Sequence, residues 1–186
     1  DWNQILEMRS RELKVGGKLL TVNLSRDHED RYLGNNGGGT VNVHDQIHSI
    51  WRDLLQENLI TEPEYKRGTI QNFYKSPEEF TLPLTNKASE AYKNGLRLLK
   101  ERTVYVECPY KEKWKNNKDT EEFSIGLMET IRSWSRHSFD AALEKNYERE
   151  ANPTDILFNR LTSLIRSDPE NWSLDYVEHH LMMEKV

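Results

Sequence analysis

Apolar positions along the chain change their spacing several times, and each change predicts an element. Trp2, Ile5, Leu6 and Leu13 recur at three- and four-residue intervals, which predicts an opening amphipathic helix with these side chains near one stripe. Gly16 and Gly17 supply the left-handed C-terminal cap that ends it. Lys18-Leu-Leu-Thr-Val-Asn-Leu24 then reads as a strand, apolar on both faces, the pattern of a strand buried in a covered, largely parallel sheet. Helix, Gly-Gly, buried strand is the repeating unit of a doubly wound α/β fold. Such a sheet calls for parallel strands before this one, so a chain opening at Asp1-Trp2 without Met is expected to be a piece of a longer protein.

Residues 25–40 are polar and turn-rich, with Gly34-Asn-Asn-Gly-Gly-Gly39 in them, and read as a mobile loop. An amphipathic helix is predicted from His44 to Leu59, with Ile47, Ile50, Trp51, Leu54 and Leu55 on its apolar stripe. Thr61-Glu-Pro-Glu64 and Ser76-Pro-Glu-Glu79 both have the capping-box spacing with proline in the first turn, and each predicts a helix start. Residues 86–100 read as helical, ending in Leu96, Leu98 and Leu99. Thr103-Val-Tyr-Val-Glu-Cys108 is β-branched and aromatic, hence a strand. Lys111 to Thr120 reads as a charged loop, and Glu121 to about Asn146 as the longest helix. Asn152-Pro153 caps a further helix, and Leu174 to Met183 closes the chain as a strand.

Composition narrows the class. Twenty-six basic and 31 acidic residues in 186 leave a net charge of −5, which argues against a general nucleic-acid binder. No run approaches the apolar length of a membrane span, so no membrane partner is expected. One cysteine, Cys108, excludes an internal disulfide and a cysteine-based zinc site, and reads as a small core residue. A soluble cytoplasmic protein, or a piece of one, is the expectation.

Catalytic constellations are few. His44 and His48 have a metal-ligand spacing on one helix, but no third ligand is near, and exposed helix histidines are the simpler reading. His179 and His180 point to opposite faces of a strand and cannot share an ion. The glycine run at 37–39 does not join a strand to a helix in the nucleotide-binding manner. Ser133, Ser135 and His137 share a helix without the sharp turn that activates a serine. Absence of acid–base machinery is compatible with methyl transfer from a sulfonium to a carboxylate, whose nucleophile is already ionised. That reaction asks for alignment and exclusion of water. Trp51, Phe73, Tyr74, Phe80, Met128, Trp134 and Tyr176 are aromatic or soft enough to line such a pocket, and equally able simply to fill a core.

Ile5-Leu-Glu-Met-Arg-Ser-Arg-Glu-Leu-Lys-Val-Gly-Gly-Lys-Leu-Leu20 resembles the segment of class I methyltransferases that leads into the fifth strand. Further segments resemble the salicylate/benzoate/theobromine-type (SABATH) carboxyl methyltransferases. These are Leu24-Ser-Arg26, Glu57-Asn-Leu-Ile-Thr-Glu62, Ile70-Gln-Asn-Phe-Tyr-Lys-Ser-Pro-Glu-Glu-Phe80, Met128-Glu-Thr-Ile-Arg-Ser-Trp134 and Asp175-Tyr-Val-Glu-His-His-Leu181. The resemblance covers nearly the whole chain in the family's order. It implies an α/β fold, the C-terminal part of a Rossmann-like methyltransferase sheet with a helical cap inserted. Strand five would be 18–24, strand six about 103–109 and strand seven, antiparallel, 174–184. Residues 1–24 would end the core, 25–100 form the cap over the methyl acceptor, and 101–186 return to the core.

By position in the family pattern, Leu24, Val43, Met128, Ile131 and Tyr176 are implied to contact a small carboxylic acid substrate. The cofactor would be S-adenosyl-L-methionine, held in the full-length protein by a glycine-rich loop and an acidic residue that lie upstream of Asp1. As it stands the chain is therefore expected to be inactive. Its first strand would be left with an apolar edge, which folded proteins cover. Pairing with a second copy, exchange of an element or a shift of the first helix would cover it, and a homodimer is expected. The alternatives are a non-catalytic binding or dimerisation module of the same fold, and a relative that methylates nitrogen or hydroxyl.

Overall fold

A computed structural model describes residues 1–70, 72–145 and 149–186. Helix α1 (Trp2–Glu12) precedes β1 (Lys18–Ser25), and a loop leads to α2 (Val43–Gln56) and α3 (Glu62–Arg67). Helices α4 (Pro77–Thr85) and α5 (Glu90–Lys93) lead into β2 (Leu96–Val106). Then come α6 (Pro109–Asn117), α7 (Thr120–Ala142), α8 (Pro153–Ser167) and β3 (Tyr176–Lys185). The result is a mixed helix–sheet protein. Among the described residues no helix is long and apolar enough to cross a membrane.

Packing divides the chain into two units, each discontinuous in sequence: residues 1–32, 73–106 and 176–186 in the first, 33–72 and 107–175 in the second. The cap anticipated at 25–100 and this division differ, because residues 73–100 pack with the sheet and 107–175 pack with 33–72.

In the first unit the strands run in the order β1-β3-β2, with β3 antiparallel to both neighbours. The two outer strands therefore point the same way. Burial alternates along β3, with Val177, His179, Leu181 and Met183 on one face, as the two-residue strand period requires. That face is covered: Trp2 and Leu6 of α1, Phe80 and Leu84 of α4 and Ala91 of α5 pack with Leu96, Leu181 and Met183. The indole Nε1 of Trp2 donates to the carbonyl of Phe80 at 2.9 Å, and the two rings meet edge to face at 5.3 Å.

Strand β1, expected to be buried on both faces in a largely parallel sheet, has an antiparallel neighbour and exposes Leu20, Val22 and Leu24. Three further segments depart from the expectation. Helix α1 ends on Leu13, before the glycines, and its buried line is Trp2, Leu6 and Ser10, with Ile5 half exposed. Gly16, at φ 80°, instead turns the chain into β1, where its N–H donates to the Lys185 carbonyl. The helix expected over 86–100 is confined to four residues, and Leu96 onward is strand. Gly95 at φ 86° ends the helix, and β3 then offers a backbone partner to Leu96. The third is the charged loop at 111–120, most of which is α6. Pro109 starts it, and Trp114 and Lys111 are buried beneath it. The Lys111 ammonium donates to the carbonyls of Pro169 and Glu170, both at 2.6 Å, and lies 4.6 Å from the centre of the Trp114 ring.

The second unit is helical. Ile47, Trp51 and Leu54 of α2 pack with Leu127, Ile131 and Phe139 of α7 and with Leu157, Phe158 and Leu161 of α8. Both expected capping boxes form, at Thr61–Glu64 and Ser76–Glu79. The longest helix was expected to about Asn146; α7 ends at Ala142, and Asn146 lies outside the described residues.

Candidate functional site

The five residues implied to contact an acceptor fall in two groups. Val43 is the first residue of α2, whose N-terminus is held by the Asn42 side chain accepting from His44 and Asp45 N–H at 3.0 and 3.2 Å. Met128 and Ile131 lie three apart on α7, on one face of that helix. Val43, Met128 and Ile131 join one core cluster of the second unit, all nearly or fully buried. In the first unit, Leu24 pairs with Glu178, and Tyr176 lies two residues before Glu178 on the same sheet face. Leu24 is 55% exposed there and Tyr176 half-buried.

The cavities described are lined by other side chains. The largest, about 270 Å³, is a groove floored by Tyr110, Trp114, Phe123 and Gly126 between α6 and α7. An open one of about 240 Å³ lies beside α4, at Lys75, Glu79, Leu82 and Asn86. A cleft of about 50 Å³ opens between His44, His48, Trp51, Ile70 and Phe139. Gly68 closes it: a Cβ there would meet the Trp51 indole nitrogen at 2.4 Å.

The two histidines of α2 have separate partners. His44 Nε2 takes the Asn72 amide at 3.1 Å, and its ring tilts against Trp134 at 5.4 Å. Burial holds its pKa below the ordinary value, against a smaller upward pull from Asp45. His48 Nε2 pairs with the Tyr65 hydroxyl at 3.1 Å. Among the described residues no three His, Cys, Asp or Glu side chains converge as metal ligands. Ser133 and Ser135 donate to the carbonyls of Thr130 and Ile131, so both hydroxyls are spent on the helix backbone. Cys108 is buried in the core cluster. Of the aromatic and soft residues, Trp51, Phe80 and Met128 fill cores, Phe73 is 76% exposed, and Tyr74 stacks on Tyr32 at 4.6 Å.

In the first unit, His179 and His180 do face opposite ways. His179 is buried between Glu101, 3.1 Å from Nε2, and Thr103, 3.3 Å from Nδ1. His180 pairs with Glu178 at 2.7 Å on the other face. Sequence reasoning missed a buried carboxylate in the loop after β1. Asp27 accepts from the N–H groups of Glu29 and Arg31, from the Arg31 guanidinium at 2.8 Å and from the Tyr105 hydroxyl. Burial pushes Asp27 up, but the hydrogen bonds from Arg31 and Glu29 outweigh it and leave the carboxyl below its ordinary range. The Asp-x-x-x-Arg spacing was the available signal.

The feature that stands out is an uncovered face. Opposite the helix-packed side of the sheet, β1 presents Leu20, Val22 and Leu24 at 63%, 55% and 55% exposure, with Met182 of β3 beside Leu20. Among the described residues the outer edge of β1 is paired only at its end, where Ser25 bridges to Lys75 and the Arg26 N–H donates to the Lys75 carbonyl. Neither a scan against protein-family models nor a search of curated proteins finds a match to the chain.

Proposed function

We propose that the chain is the acceptor-binding, C-terminal portion of an S-adenosylmethionine-dependent carboxyl methyltransferase of the SABATH type, acting on a small carboxylic acid. The observation that carries this is the half-covered sheet. Strands β1 and β3 fall where the resemblance puts strands five and seven, β2 overlaps the expected sixth strand over 103–106 only, and β3 is antiparallel to both neighbours. The edge of β1 is open where a further parallel strand would pair, and Leu20, Val22 and Leu24 form an apolar face of the kind that helices cover in a doubly wound sheet.

The residues present do not make a seat for the cofactor. Among the described residues no strand runs through a glycine-rich turn into a helix, and Asp27, the buried acid after β1, is engaged by its own loop and by Tyr105. No step through the cofactor is therefore assigned to this chain, and alone it is inactive. Its contribution is to bind and orient the acid and exclude water, with Leu24, Val43, Met128, Ile131 and Tyr176 keeping the acceptor-contacting role the resemblance implies. A carboxylate needs no base at neutral pH, which fits a chain whose histidines and serines are engaged structurally.

A second reading, a non-catalytic dimerisation module of the same fold, draws on the β1 edge itself. An antiparallel copy centred on Val22 would set Leu20 against Leu24 of its mate on one face and Thr21 against Asn23 on the other. Apolar positions then meet apolar ones and polar meet polar.

The deciding experiment offers methyl-labelled S-adenosylmethionine and a panel of small carboxylic acids to the full-length protein carrying these residues. Labelled methyl ester is expected. No labelled product sinks the enzyme reading, and label only on amines or hydroxyls sinks the carboxyl assignment. Met128→Ala should alter acceptor preference several-fold while leaving cofactor affinity unchanged; the reverse would remove Met128 from the acceptor side.

A further inference from the structure

Asp175 is 4% exposed, and only part of its hydrogen-bonding capacity is used. Its Oδ2 accepts from the Asn36 N–H at 2.7 Å, while its Oδ1 is buried with no hydrogen-bond partner. The Asn36 amide donates to the Asp175 carbonyl at 3.2 Å, which fixes its orientation and turns its own Oδ1 away as an acceptor. That oxygen too is buried without a donor. Two acceptor oxygens, one of them anionic, thus belong to residues tied together by two hydrogen bonds, and among the described residues no N–H or O–H is directed at either.

The glycine run lies against them. A Cβ on Gly38 would meet Ser173 Oγ at 2.5 Å and Asp175 Oδ1 at 2.8 Å, so only glycine lets the loop approach so closely. Thr40 and Val41 N–H donate to the Asn171 carbonyl, and Gly34 N–H donates to the Asp175 carbonyl. The later part of the segment expected to be a mobile loop is therefore tethered, from Gly34 onward, to residues 171–175. Lys115, whose ammonium feels the Asp175 charge, donates at 2.6 Å to Glu112 instead. A buried carboxylate oxygen without a donor is destabilising unless a positive charge answers it.

We propose that this loop binds a calcium ion through Asp175 Oδ1 and Asn36 Oδ1. Hard cations take carboxylate and amide oxygens, and Ca²⁺, unlike Mg²⁺, accepts the irregular geometry that a glycine-rich loop provides. The Ser173 hydroxyl, loop carbonyls and water are the oxygens able to complete its shell. A single carboxylate makes a low-charge, low-affinity site. The proposal is independent of the methyltransferase reading, because it rests on the Asn36 and Asp175 side chains, to which the resemblance assigns no acceptor or cofactor contact.

The test is calorimetric titration of CaCl₂ into the chelator-treated chain, with a parallel melting curve. One site with a Kd on the order of 10⁻⁴ to 10⁻³ M is expected. At 10 mM Ca²⁺ the melting temperature should rise by roughly 3–11 °C. Asp175→Asn, which keeps the shape and removes the charge, should weaken binding at least tenfold. If that variant does not fold, Asn36→Ala takes its place, with the same tenfold loss expected. No heat and no melting shift with Ca²⁺ overturns the proposal. Undiminished binding in the folded variant, or equal binding of Mg²⁺, does the same.

Discussion

The two units solve the burial problem differently. In the helical unit apolar stripes from α2, α7 and α8 meet around one closed core, and its exposed large apolar side chains, Leu59, Ile125, Trp134 and Leu164, are scattered singly. In the sheet unit one face is packed by α1, α4 and α5 and the other is bare, so Leu20, Val22 and Leu24 stand in a row on an edge strand. Isolated exposed apolar residues are ordinary on protein surfaces; an apolar row on an edge strand is a feature that folded proteins commonly cover or blunt. The helical unit closes its apolar surface on itself, and the sheet unit leaves this row exposed.

The largest effect should come from the closed core. Phe139 is 1% exposed, lies 4.8 Å from Trp51 and meets Phe158 edge to face at 6.5 Å. Phe139→Ala should lower the stability of the helical unit by about 3–5 kcal/mol, read from denaturant unfolding. A loss under about 1 kcal/mol would mean that this core is not the closed one described.

Glu64 comes next. Fully buried, it accepts from the Thr61 and Glu144 N–H groups at 2.8 Å each and from the Arg149 guanidinium, so one carboxylate joins the capping box of α3 to the segment after α7. Burial pushes it up, and the hydrogen bonds from Glu144 and Thr61 outweigh that, so it stays ionised. Glu64→Gln should cost about 2–3 kcal/mol, because one donor is left facing another N–H. An unchanged unfolding midpoint would show that Arg149 and the cap are held by something else.

How much of this was legible depends on which interactions are local. The capping boxes at Thr61 and Ser76, the stripe of α2 and the strand at Lys18–Ser25 were readable because neighbours in sequence decide them. The segment Leu96–Lys100 was not. Its leucines fit a helix or a strand equally, and the choice was made by Gly95 and by β3, a partner about eighty residues away. Helix α6 was hidden because a lysine supplies one of its buried positions, and only the carbonyls of Pro169 and Glu170 make that burial tolerable. Of the site, the resemblance gave five positions; the sequence could say neither that Val43, Met128 and Ile131 share a core nor that Leu24 stands exposed. Exposure of one face of β1 is set by which elements pack on the sheet, and no local pattern records that.

Val22→Lys tests the other side of the contrast. On a solvated strand face the substitution should change unit stability by no more than about 0.5 kcal/mol. It should nevertheless abolish self-association through β1, since pairing about Val22 would set two ammonium groups opposite each other. Sedimentation should find wild type dimeric and the variant monomeric. A wild-type monomer with Leu20, Val22 and Leu24 still accessible to chemical footprinting would show that the face needs no partner, and the contrast would fail. The same lysine on the packed face, at Leu181, should unfold the sheet.

The smallest effect is a slope with pH. Burial holds the His179 pKa below its ordinary 6.5, against an upward pull from Glu101, and His44 in the helical unit is lowered for the same first reason. A histidine whose folded pKa lies below its unfolded one binds fewer protons when folded. Stability is then fully present above pH 6.5 and falls as pH drops from there toward the folded value, below which the loss is constant. The buried carboxylates Asp27 and Glu64 act in a separate, more acidic window, since their folded pKa values lie below ordinary values of 3.8 and 4.5. Between pH 7.5 and 5.5 the two histidines therefore dominate, one in each unit. His179→Gln should flatten the pH dependence of unfolding for the sheet unit and leave that of the helical unit intact, with His44→Asn doing the converse. A slope of opposite sign in that interval would mean that Glu101 wins over burial, and that His179 is carried inside the sheet as a cation.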